Sequence, residues 1–319
     1  MILTVTLNAA IDRTVAVPNF HLGHRHRAVE SRTVAGGKGV NVARALKRLG
    51  RPVIATGLAG GPTGTRILER LTEESILNDF TRIAEESRTN LAVIDPTSGQ
   101  QTEINERGPS VAPEEIDRFI EKLLYLAQGA EFCVIAGSVP PGVESDVYAR
   151  LIEELRGLGV PTLLDTDGEP MRLGLRAFPD VVAPNELEAE QAVGHEFGDA
   201  GDLALGLSGL IEMGAREAIV TRENGCVAIT SDNGRRHRFE VAIDPLDPVS
   251  TVGSGDAFVA GYISARYGGA PTTEALAYGV ACGAQSTQHF GAGAIEPAEV
   301  ERLVARVEVR ELEMPATVA

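Results

Sequence analysis

The stretch EFCVIAGSVPPGVESDVYARLIEELRGLGVPTLLDTDG, residues 131–168, contains the pattern that decides the fold. Its two ends, EFCVIAGS and PTLLDTDG, are short apolar runs that finish in polar or glycine residues, as buried parallel strands do. The segment between them, SDVYARLIEELRGLG, reads as a helix. A strand, a helix and a second strand in this order predict a βαβ unit.

The same alternation continues along most of the chain. Further strands are predicted in Leu3–Leu7, PVIATGL, PDVVAPN and EAIVTREN. Further helices are predicted in VNVARALKRLG, PEEIDRFIEKLLYLAQG, NELEAEQAVG, DAFVAGYISARYG, TTEALAYGVACGAQSTQHFG and EPAEVERLVARVE. The sequence therefore predicts an α/β fold, a doubly wound and mostly parallel sheet flanked by helices, with ligands at the carboxyl ends of the strands.

Two segments interrupt this alternation. Residues 12–35 and 88–106 have strand-like composition but no helical partner. We interpret them as a small β-sheet that forms a lid over the carboxyl-end edge. Because no linker or repeat divides the chain, residues 1–319 are predicted to form one domain with this lid inserted.

Charge and cysteine content restrict the class of protein. The chain has 319 residues and a net charge of −16, which opposes nucleic-acid and anionic-membrane partners but permits a small anionic substrate in a local basic pocket. The scattered Cys133, Cys226 and Cys282 do not suggest a disulfide framework, so a cytoplasmic location is expected.

Two glycine-rich motifs carry the chemistry. In AGGKGVNVARAL, residues 35–46, the glycines allow close approach of the backbone to a ligand, and Lys38 adds a cation. In GSGD, residues 253–256, successive backbone N–H groups can bind an anion beside the Asp256 carboxylate. Alone, the first motif is better explained as a flexible glycine turn with a surface lysine, and in the second Asp256 is about as compatible with an ordinary acid at the start of a helix.

The order of these motifs is the most specific signal in the sequence. It resembles that of the ribokinase-like (phosphofructokinase B) carbohydrate kinases, most closely the branch that acts on phosphorylated ketohexoses. The matching elements run from Leu3 to about Ile295: TLNAAID, GGKGVNVARAL, ESRTN, AGSVPPGV, LLDTDG, PNELE and VGSGDAFVAGY. The resemblance implies a central α/β sheet with a small β-lid.

The resemblance also implies roles for the residues that match. Asp256 would be the general base, with Gly253, Ser254 and Gly255 as the anion hole for the transferring phosphoryl group. The residues implied on the sugar side are Asp12, Gly36, Gly37, Lys38, Asn41, Arg88, Arg25, Arg27 and Ser138. Arg88 would bind the substrate phosphate, and Arg25 and Arg27 match lid residues that in some relatives reach a neighbouring subunit's site.

On the nucleotide side the resemblance implies ATP and Mg²⁺. The residues implied to contact ATP are Asn185, Thr221, Arg222, Gly225, Gly291 and Gly293. Asn185 and Glu188 would hold Mg²⁺ through water, although the same pair could simply cap a helix. Ala183 stands where many relatives carry a lysine, and Arg222 is a candidate for the missing cation. Ser250 stands where some relatives carry a carboxylate, so a K⁺ requirement is left open.

The activity implied is ATP-dependent phosphorylation of a ketohexose phosphate, with fructose 1-phosphate as the leading substrate and fructose 1,6-bisphosphate as its product. Tagatose 6-phosphate and fructose 6-phosphate are the alternatives within this class. A non-catalytic protein that binds or senses a sugar phosphate is the alternative from another class. A homodimer formed through the lid is expected, because an exposed sheet has edges and an apolar face.

Overall fold

The computed structural model describes residues 1–232 and 234–314. The strands are β1 (Ile2–Thr6), β2 (Ala10–Ala16), β3 (Glu30–Gly36), β4 (Val53–Gly60), β5 (Leu77–Ile83), β6 (Arg88–Ile94), β7 (Gln101–Asn105), β8 (Phe132–Ala136), β9 (Thr162–Asp165), β10 (Val181–Val182), β11 (Glu217–Arg222), β12 (Gly225–Asp232), β13 (Arg235–Ala242) and β14 (Glu308–Leu312). The helices are α1 (Lys38–Arg48), α2 (Gly61–Glu73), α3 (Pro113–Ala127), α4 (Val147–Gly157), α5 (Gly168–Arg176), α6 (Glu186–Val193), α7 (Ala200–Glu212), α8 (Ser254–Tyr267), α9 (Thr272–Ser286) and α10 (Pro297–Val304).

One large sheet organises the structure. Its strand order is β14-β13-β12-β11-β10-β9-β8-β1-β4-β5. Strands β11 to β5 in this order pair in parallel, whereas β12, β13 and β14 are added antiparallel at one edge. The doubly wound, mostly parallel sheet predicted from the alternation is confirmed. The chain reverses direction across the sheet at β1, and such a reversal point opens a crevice at the carboxyl ends of the strands.

Helices cover both faces of this sheet. On one face, α1, α2, α8, α9 and α10 supply a core that includes Leu46, Ile67 and Tyr262. On the other face, α3 to α7 supply a second core that includes Phe119, Leu151 and Leu207. Strands buried on both faces need near-continuous apolar sequences, as in β8 (FCVIA), and in β1 (ILTVT) the only interruptions are two buried threonines.

The lid is a separate four-stranded sheet with the order β3-β2-β6-β7 in the described part of the chain. Strand β2 pairs antiparallel with β3 and parallel with β6, and β7 completes the outer edge. The predicted lid segments 12–35 and 88–106 therefore contain these strands, although β2 begins earlier, at Ala10, and β3 continues to Gly36.

Some elements were not predicted, and two helices end earlier than expected. Helices α2, α5 and α7 and strands β5, β12, β13 and β14 were missed. The predicted helix 296–308 ends at Val304, and Glu308 already belongs to β14, which pairs with β13. The predicted helix 272–291 ends at Ser286. The pairing of β14 with β13, across about seventy residues, cannot be read from local composition.

No helix among residues 1–232 and 234–314 is both long and apolar enough to cross a bilayer.

Candidate active site

A cleft of about 1480 Å³ lies at the carboxyl ends of the parallel strands, between the large sheet and the lid. Most of the residues that the sequence singled out line it, although they come from both ends of the chain. The predicted residues in its wall are Asp12, Gly37, Lys38, Asn41, Arg88, Asn185, Glu188, Thr221, Arg222, Gly225, Gly253, Ser254, Gly255, Asp256 and Gly291. The fold therefore brings the two glycine motifs together, as ligand binding at a parallel-sheet edge requires.

Asp256 lies in the first turn of α8 and is 6% exposed. Its Oδ2 accepts a hydrogen bond of 2.8 Å from Nδ2 of Asn41 on α1. Burial raises the pKa of Asp256 from its ordinary 3.8 to about 7, with a further rise from the Asp165 carboxylate. Lys38 and the Asn41 hydrogen bond lower the pKa in opposition. A carboxylate with a pKa near neutrality is suited to accept a proton from a hydroxyl group.

Lys38 is the first residue of α1, directly after Gly37, whose φ of +108° fits a glycine. Its Nζ forms ion pairs with Asp165 Oδ1 at 2.8 Å and with Glu188 Oε1 at 3.0 Å. Burial acts against the Lys38 charge, but these two carboxylates outweigh it and raise the pKa of Lys38 above its ordinary value. Lys38 is therefore a permanent cation at the junction of the two halves of the cleft.

Asp12, on the lid strand β2, approaches the cleft from the opposite side. Its Oδ1 accepts a hydrogen bond of 2.8 Å from Nδ2 of Asn90 on β6. A Cβ atom at Gly36 would lie 1.9 Å from Oδ2 of Asp12, so this position admits the Asp12 carboxylate only because it is a glycine. Burial raises the pKa of Asp12, while Asn90 and Arg88 oppose the rise.

Arg88 lies beside a recess of about 200 Å³ that branches off near Lys38. Its Nε donates to the Asn8 carbonyl at 3.1 Å and its Nη1 to the Glu106 carbonyl at 2.9 Å. Ser138, the remaining predicted sugar-side residue, lines the same recess, and its Oγ accepts a hydrogen bond from Asn8. The two carbonyls fix the guanidinium and leave its other N–H groups for an anion.

The turn before α8 has the geometry of an anion site. Gly253 adopts a left-handed conformation, with φ of +78°, and a Cβ atom there would lie 2.4 Å from Cβ of Ala292. At Gly255 a Cβ atom would meet no atom within 4 Å. The first N–H groups of a helix have no partner inside the helix, so this turn offers donors next to open space.

Thr221, Arg222 and Gly225, which are predicted to contact ATP, lie at the end of β11 and the start of β12. Thr221 donates its backbone N–H to the Pro184 carbonyl, and the β11–β12 hairpin turns between Arg222 and Gly225. Nε of Arg222 donates to Glu186 Oε1 at 2.7 Å. The Arg222 guanidinium therefore lines the cleft as a paired cation, not as a free replacement for the lysine that Ala183 lacks.

Asn185 and Glu188 form a capping box at the start of α6, so the helix-capping alternative describes their geometry. Asn185 Oδ1 accepts from the Glu188 N–H at 2.9 Å, and Glu188 Oε2 accepts from the Asn185 N–H at 3.0 Å. Because Oε1 of Glu188 also accepts from Lys38, both oxygens already have donors. In residues 1–232 and 234–314, no group of three His, Cys, Asp or Glu side chains is arranged to hold a metal ion. These side-chain oxygens keep further acceptor capacity, so Asn185 and Glu188 can accept hydrogen bonds from the water ligands of a divalent ion.

Four predicted residues do not line the main cleft or its recess. Arg25 and Arg27 are exposed on the loop between β2 and β3, so within one chain they do not contribute to the site. Gly36 acts indirectly, by making room for Asp12. Gly293 packs on the backbone of Asn41, where a Cβ atom would lie 2.5 Å from the Asn41 carbonyl oxygen, which favours a packing turn over an adenine contact.

Among the cleft-wall residues that sequence reasoning missed are Asp165, Asn90 and Arg44, which bond Lys38, Asp12 and Asn41 respectively. Asp165 carried a usable signal, because it ends the predicted strand PTLLD at the ligand-facing edge. Asn90 and Arg44 lie within the matching elements ESRTN and GGKGVNVARAL, but neither was given a role, since an amide on a lid strand and an arginine on an amphipathic helix are ordinary surface residues in sequence.

Comparisons with known proteins find relatives over most of the chain. A family model described as pfkB family carbohydrate kinase matches residues 3–299. A 1-phosphofructokinase from Rhodobacter capsulatus is 36% identical over 275 residues, covering 83% of this chain and 83% of that protein. A 1-phosphofructokinase from Borreliella burgdorferi is 30% identical over 313 residues, covering 98% of this chain and 99% of that protein. The structure of phosphofructokinase-2 from Escherichia coli in complex with fructose-6-phosphate superposes with a TM-score of 0.87 at 26% identity, covering 95% of this chain and 98% of that one.

Proposed function

The chain belongs to the pfkB family of carbohydrate kinases, and on that premise we propose that it phosphorylates the C6 hydroxyl of fructose 1-phosphate at the expense of ATP. It is a phosphotransferase that acts on a sugar, so the alternative of a non-catalytic binding protein is set aside. The two curated relatives named above carry the name 1-phosphofructokinase, which supports fructose 1-phosphate over the other ketohexose phosphates.

The observation that carries the proposal is the position of Asp256. Its carboxylate is buried at the start of α8, directly after the Gly253–Gly255 turn, and one of its oxygens accepts a hydrogen bond from the side-chain Nδ2 of Asn41. Phosphoryl transfer needs a base for the attacking hydroxyl next to donors for the transferring oxygens, and this turn supplies both. In the proposed mechanism Asp256 accepts the C6 hydroxyl proton as the C6 oxygen bonds to the γ-phosphorus of ATP and the bond to the β-phosphate oxygen breaks, releasing ADP. The helix N–H groups stabilise the charge on the transferring phosphoryl oxygens.

The sugar is proposed to bind between the lid and α1. Asp12, hydrogen-bonded to Asn90, accepts hydrogen bonds from sugar hydroxyls, and the Gly37–Asn41 segment contacts the sugar from the side opposite the lid. The substrate phosphate at C1 enters the recess of Arg88 and Ser138. A guanidinium with two N–H groups already committed to carbonyls presents its remaining N–H groups in a fixed plane, which suits a phosphate.

ATP is proposed to bind along β11 and the 290–293 loop, with its phosphates directed at the α8 turn. Thr221, Arg222, Gly225 and Gly291 line this half of the cleft. A divalent cation, when bound with ATP, neutralises phosphate charge during transfer. Asn185 and Glu188 are proposed to hold its water ligands, with Mg²⁺ as the ion.

Lys38 is proposed to neutralise acidic side chains of the cleft wall, so that they repel the negatively charged substrates less. Its ammonium group lies on Asp165 and Glu188, both of which face the cleft beside Asp256. Without this cation, three carboxylates would oppose the approach of anionic ATP. The lysine of the Gly-Gly-Lys-Gly motif is thus proposed to offset negative charge where the sugar and nucleotide halves of the cleft meet.

A homodimer through the lid is proposed as well. The lid exposes Leu22, Val29 and Ile104, which are 89%, 71% and 58% exposed, and β7 is exposed along its whole length. A second copy of this sheet would cover these side chains and bring Arg25 and Arg27 towards its partner's cleft. Light scattering at working concentration tests this; a monomer mass would reject it.

The substrate is tested by measuring ADP release with fructose 1-phosphate, tagatose 6-phosphate and fructose 6-phosphate as acceptors. We expect kcat/KM to be highest for fructose 1-phosphate. Equal or higher values for either of the other two would overturn the substrate assignment and leave a sugar-phosphate kinase of different specificity. Product analysis by ³¹P NMR distinguishes phosphorylation at C6 from phosphorylation at C1.

A further inference from the structure

Arg44 has the most hydrogen bonds of any side chain near the cleft in the described residues. It lies on α1, one turn after Asn41, and is only 6% exposed. Its guanidinium reaches four partners: Asn41 Oδ1 at 3.0 Å, the Ala292 carbonyl at 3.1 Å, the Ala35 carbonyl at 2.6 Å and Glu74 Oε1 at 3.0 Å. A charge buried this deeply is stable only when its donors are satisfied.

The contact with Asn41 decides which way the Asn41 amide points. An asparagine amide has an acceptor end, Oδ1, and a donor end, Nδ2, whereas a guanidinium only donates. Because Arg44 donates to the acceptor end, the donor end must face the other way. In that direction lies Asp256, whose Oδ2 accepts from Asn41 Nδ2 at 2.8 Å.

We propose that Arg44 is a positioning residue for the base: it locks the Asn41 amide so that an N–H, and never the amide oxygen, faces the Asp256 carboxylate. This inference rests on the proposed role of Asp256 as general base. An N–H directed at a carboxylate favours its ionised form, which is the form that accepts a proton, whereas an oxygen in the same place would disfavour it. Arg44 is hydrogen-bonded to Asn41, and Asn41 to Asp256, so the proposed effect of Arg44 on the base passes through Asn41.

The other contacts explain why the position needs an arginine. Ala35 is the second-last residue of the lid strand β3, and Ala292 packs against Gly253 of the anion-hole turn. Glu74, just past the end of α2, holds the far side of the guanidinium. Only a planar group with several donors in fixed directions can satisfy these partners and still keep one N–H for Asn41.

Charged groups on three elements face Asp256 and would obscure a change of its pKa if they moved. They are Lys38 on α1, Asp165 on β9 and Asp12 on β2, in addition to the Asn41 amide. None of the three is hydrogen-bonded to Arg44. The Arg44 charge nevertheless lowers the pKa of Asp12, so a change in the acid limb, the fall of kcat/KM towards low pH, is assigned to Asn41 only by comparison with variants of Asn41.

The test compares Arg44→Met with Arg48→Met. Arg48 lies one turn further along α1 and donates to the Ile295 carbonyl at 3.3 Å, so it contacts the same loop without reaching Asn41. In Arg44→Met we expect the acid limb to move to higher pH by about one unit, so that kcat/KM below the limb falls about tenfold further than in the parent. In Arg48→Met the limb should stay in place. If Arg44→Met does not fold, Arg44→Lys, which retains the charge but not the fork of donors, is measured in its place.

A double-mutant cycle with Asn41→Ala separates the proposed route from a general effect. We expect Asn41→Ala to move the limb by itself, and Arg44→Met to add less than twofold in that background. Two results would overturn the proposal: a lower unfolding midpoint with an unmoved limb, which is a purely structural role, or a full shift that persists without Asn41. Failure of the proposed base is recognised separately, because Asp256→Asn would then retain the acid limb.

Discussion

Lys38 Nζ and Asp165 Oδ1 lie 2.8 Å apart, although 127 residues separate them in sequence. Lys38 starts α1 and Asp165 ends β9, so the pair joins a helix N-terminus to the carboxyl end of a central strand. Both groups act on Asp256, with opposite signs: the Asp165 charge raises the pKa of Asp256 and the Lys38 charge lowers it. The ion pair is therefore a means of setting the pKa of the proposed base.

The first prediction follows from those opposite signs. Asp165→Asn removes a negative charge and frees Lys38, and both changes stabilise ionised Asp256. The acid limb of kcat/KM should move to lower pH, by about one unit. Lys38→Met is the matched opposite, because loss of the cation should move the limb to higher pH. The check is the pH profile of kcat/KM for the sugar phosphate between pH 5 and 9; shifts in the same direction for both variants would contradict this account.

The second prediction concerns the chemical step. Asp256→Asn should reduce kcat by at least ~10²-fold, as expected for loss of a general base, and leave sugar-phosphate binding measured by calorimetry largely intact. Glu274 is the matched control, since it is also an acid in the first turn of a helix, α9, but is exposed and outside the cleft. Glu274→Gln should retain full turnover. Comparable losses of kcat in both variants would mean that Asp256 is only an acid in the first turn of a helix and not the general base.

The third prediction concerns stability. Because the pKa of Asp256 is raised from 3.8 to about 7 on folding, the native state binds this proton more tightly than the unfolded chain between those values. The contribution of Asp256 is thus most favourable below about pH 4, and it declines as pH rises to about 7 and is constant above. An asparagine has no such dependence.

Asp256→Asn should accordingly be more stable than the parent at pH 8, by an amount on the order of 2 to 4 kcal/mol, and equal to it near pH 4. Urea unfolding at the two pH values measures the difference. A stability difference that does not change with pH would mean that folding does not raise the pKa of this carboxyl group.

The fourth prediction uses the open space at Gly255. A methyl group there meets no protein atom within 4 Å, and a helical alanine is more stable than a glycine, so Gly255→Ala should fold with equal or higher stability. The same methyl group would project into the space proposed for the transferring phosphoryl group, and kcat should fall by ~10-fold or more. Gly157, a helical glycine in α4 that also has open space around it, is the control. Gly157→Ala should gain similar stability without loss of activity; unimpaired turnover in Gly255→Ala would place the phosphoryl group elsewhere.

The fifth prediction tests the phosphate recess. Arg88→Ala should raise KM for the phosphorylated sugar by ~10-fold or more and change KM for ATP little, because a charge-assisted hydrogen bond is lost only on the sugar side. Arg82→Ala is the control: this arginine on β5 bonds Thr65 Oγ1 at 2.8 Å and lies outside the cleft. An unchanged sugar KM in Arg88→Ala would remove Arg88 from the substrate site.

The sequence by itself determined the architecture and most of the site. Apolar runs that end in polar residues, alternating with helical segments, depend only on neighbours in the chain, and so the parallel sheet and the separate lid could be predicted. The glycine motifs could also be recognised from the sequence, because Gly37 and Gly253 need backbone conformations that few other residues adopt. Helix α5 and the antiparallel strands β12 to β14 were missed. Strands β12 and β13 follow β11 with no helix between them, so the alternation of strands and helices does not predict them.

Only the tertiary structure decided how these groups act on one another. Asn41 and Asp256 are 215 residues apart, and Arg44 and Ala292 are 248 apart, so no local pattern relates them. The pKa of Asp256 depends on burial and on charges from three other elements. The pairing of Arg222 with Glu186, and the capping box that engages Glu188, likewise depend on where α6 meets β11. Charge and hydrogen-bond energies depend on distance in space, and the fold alone sets those distances.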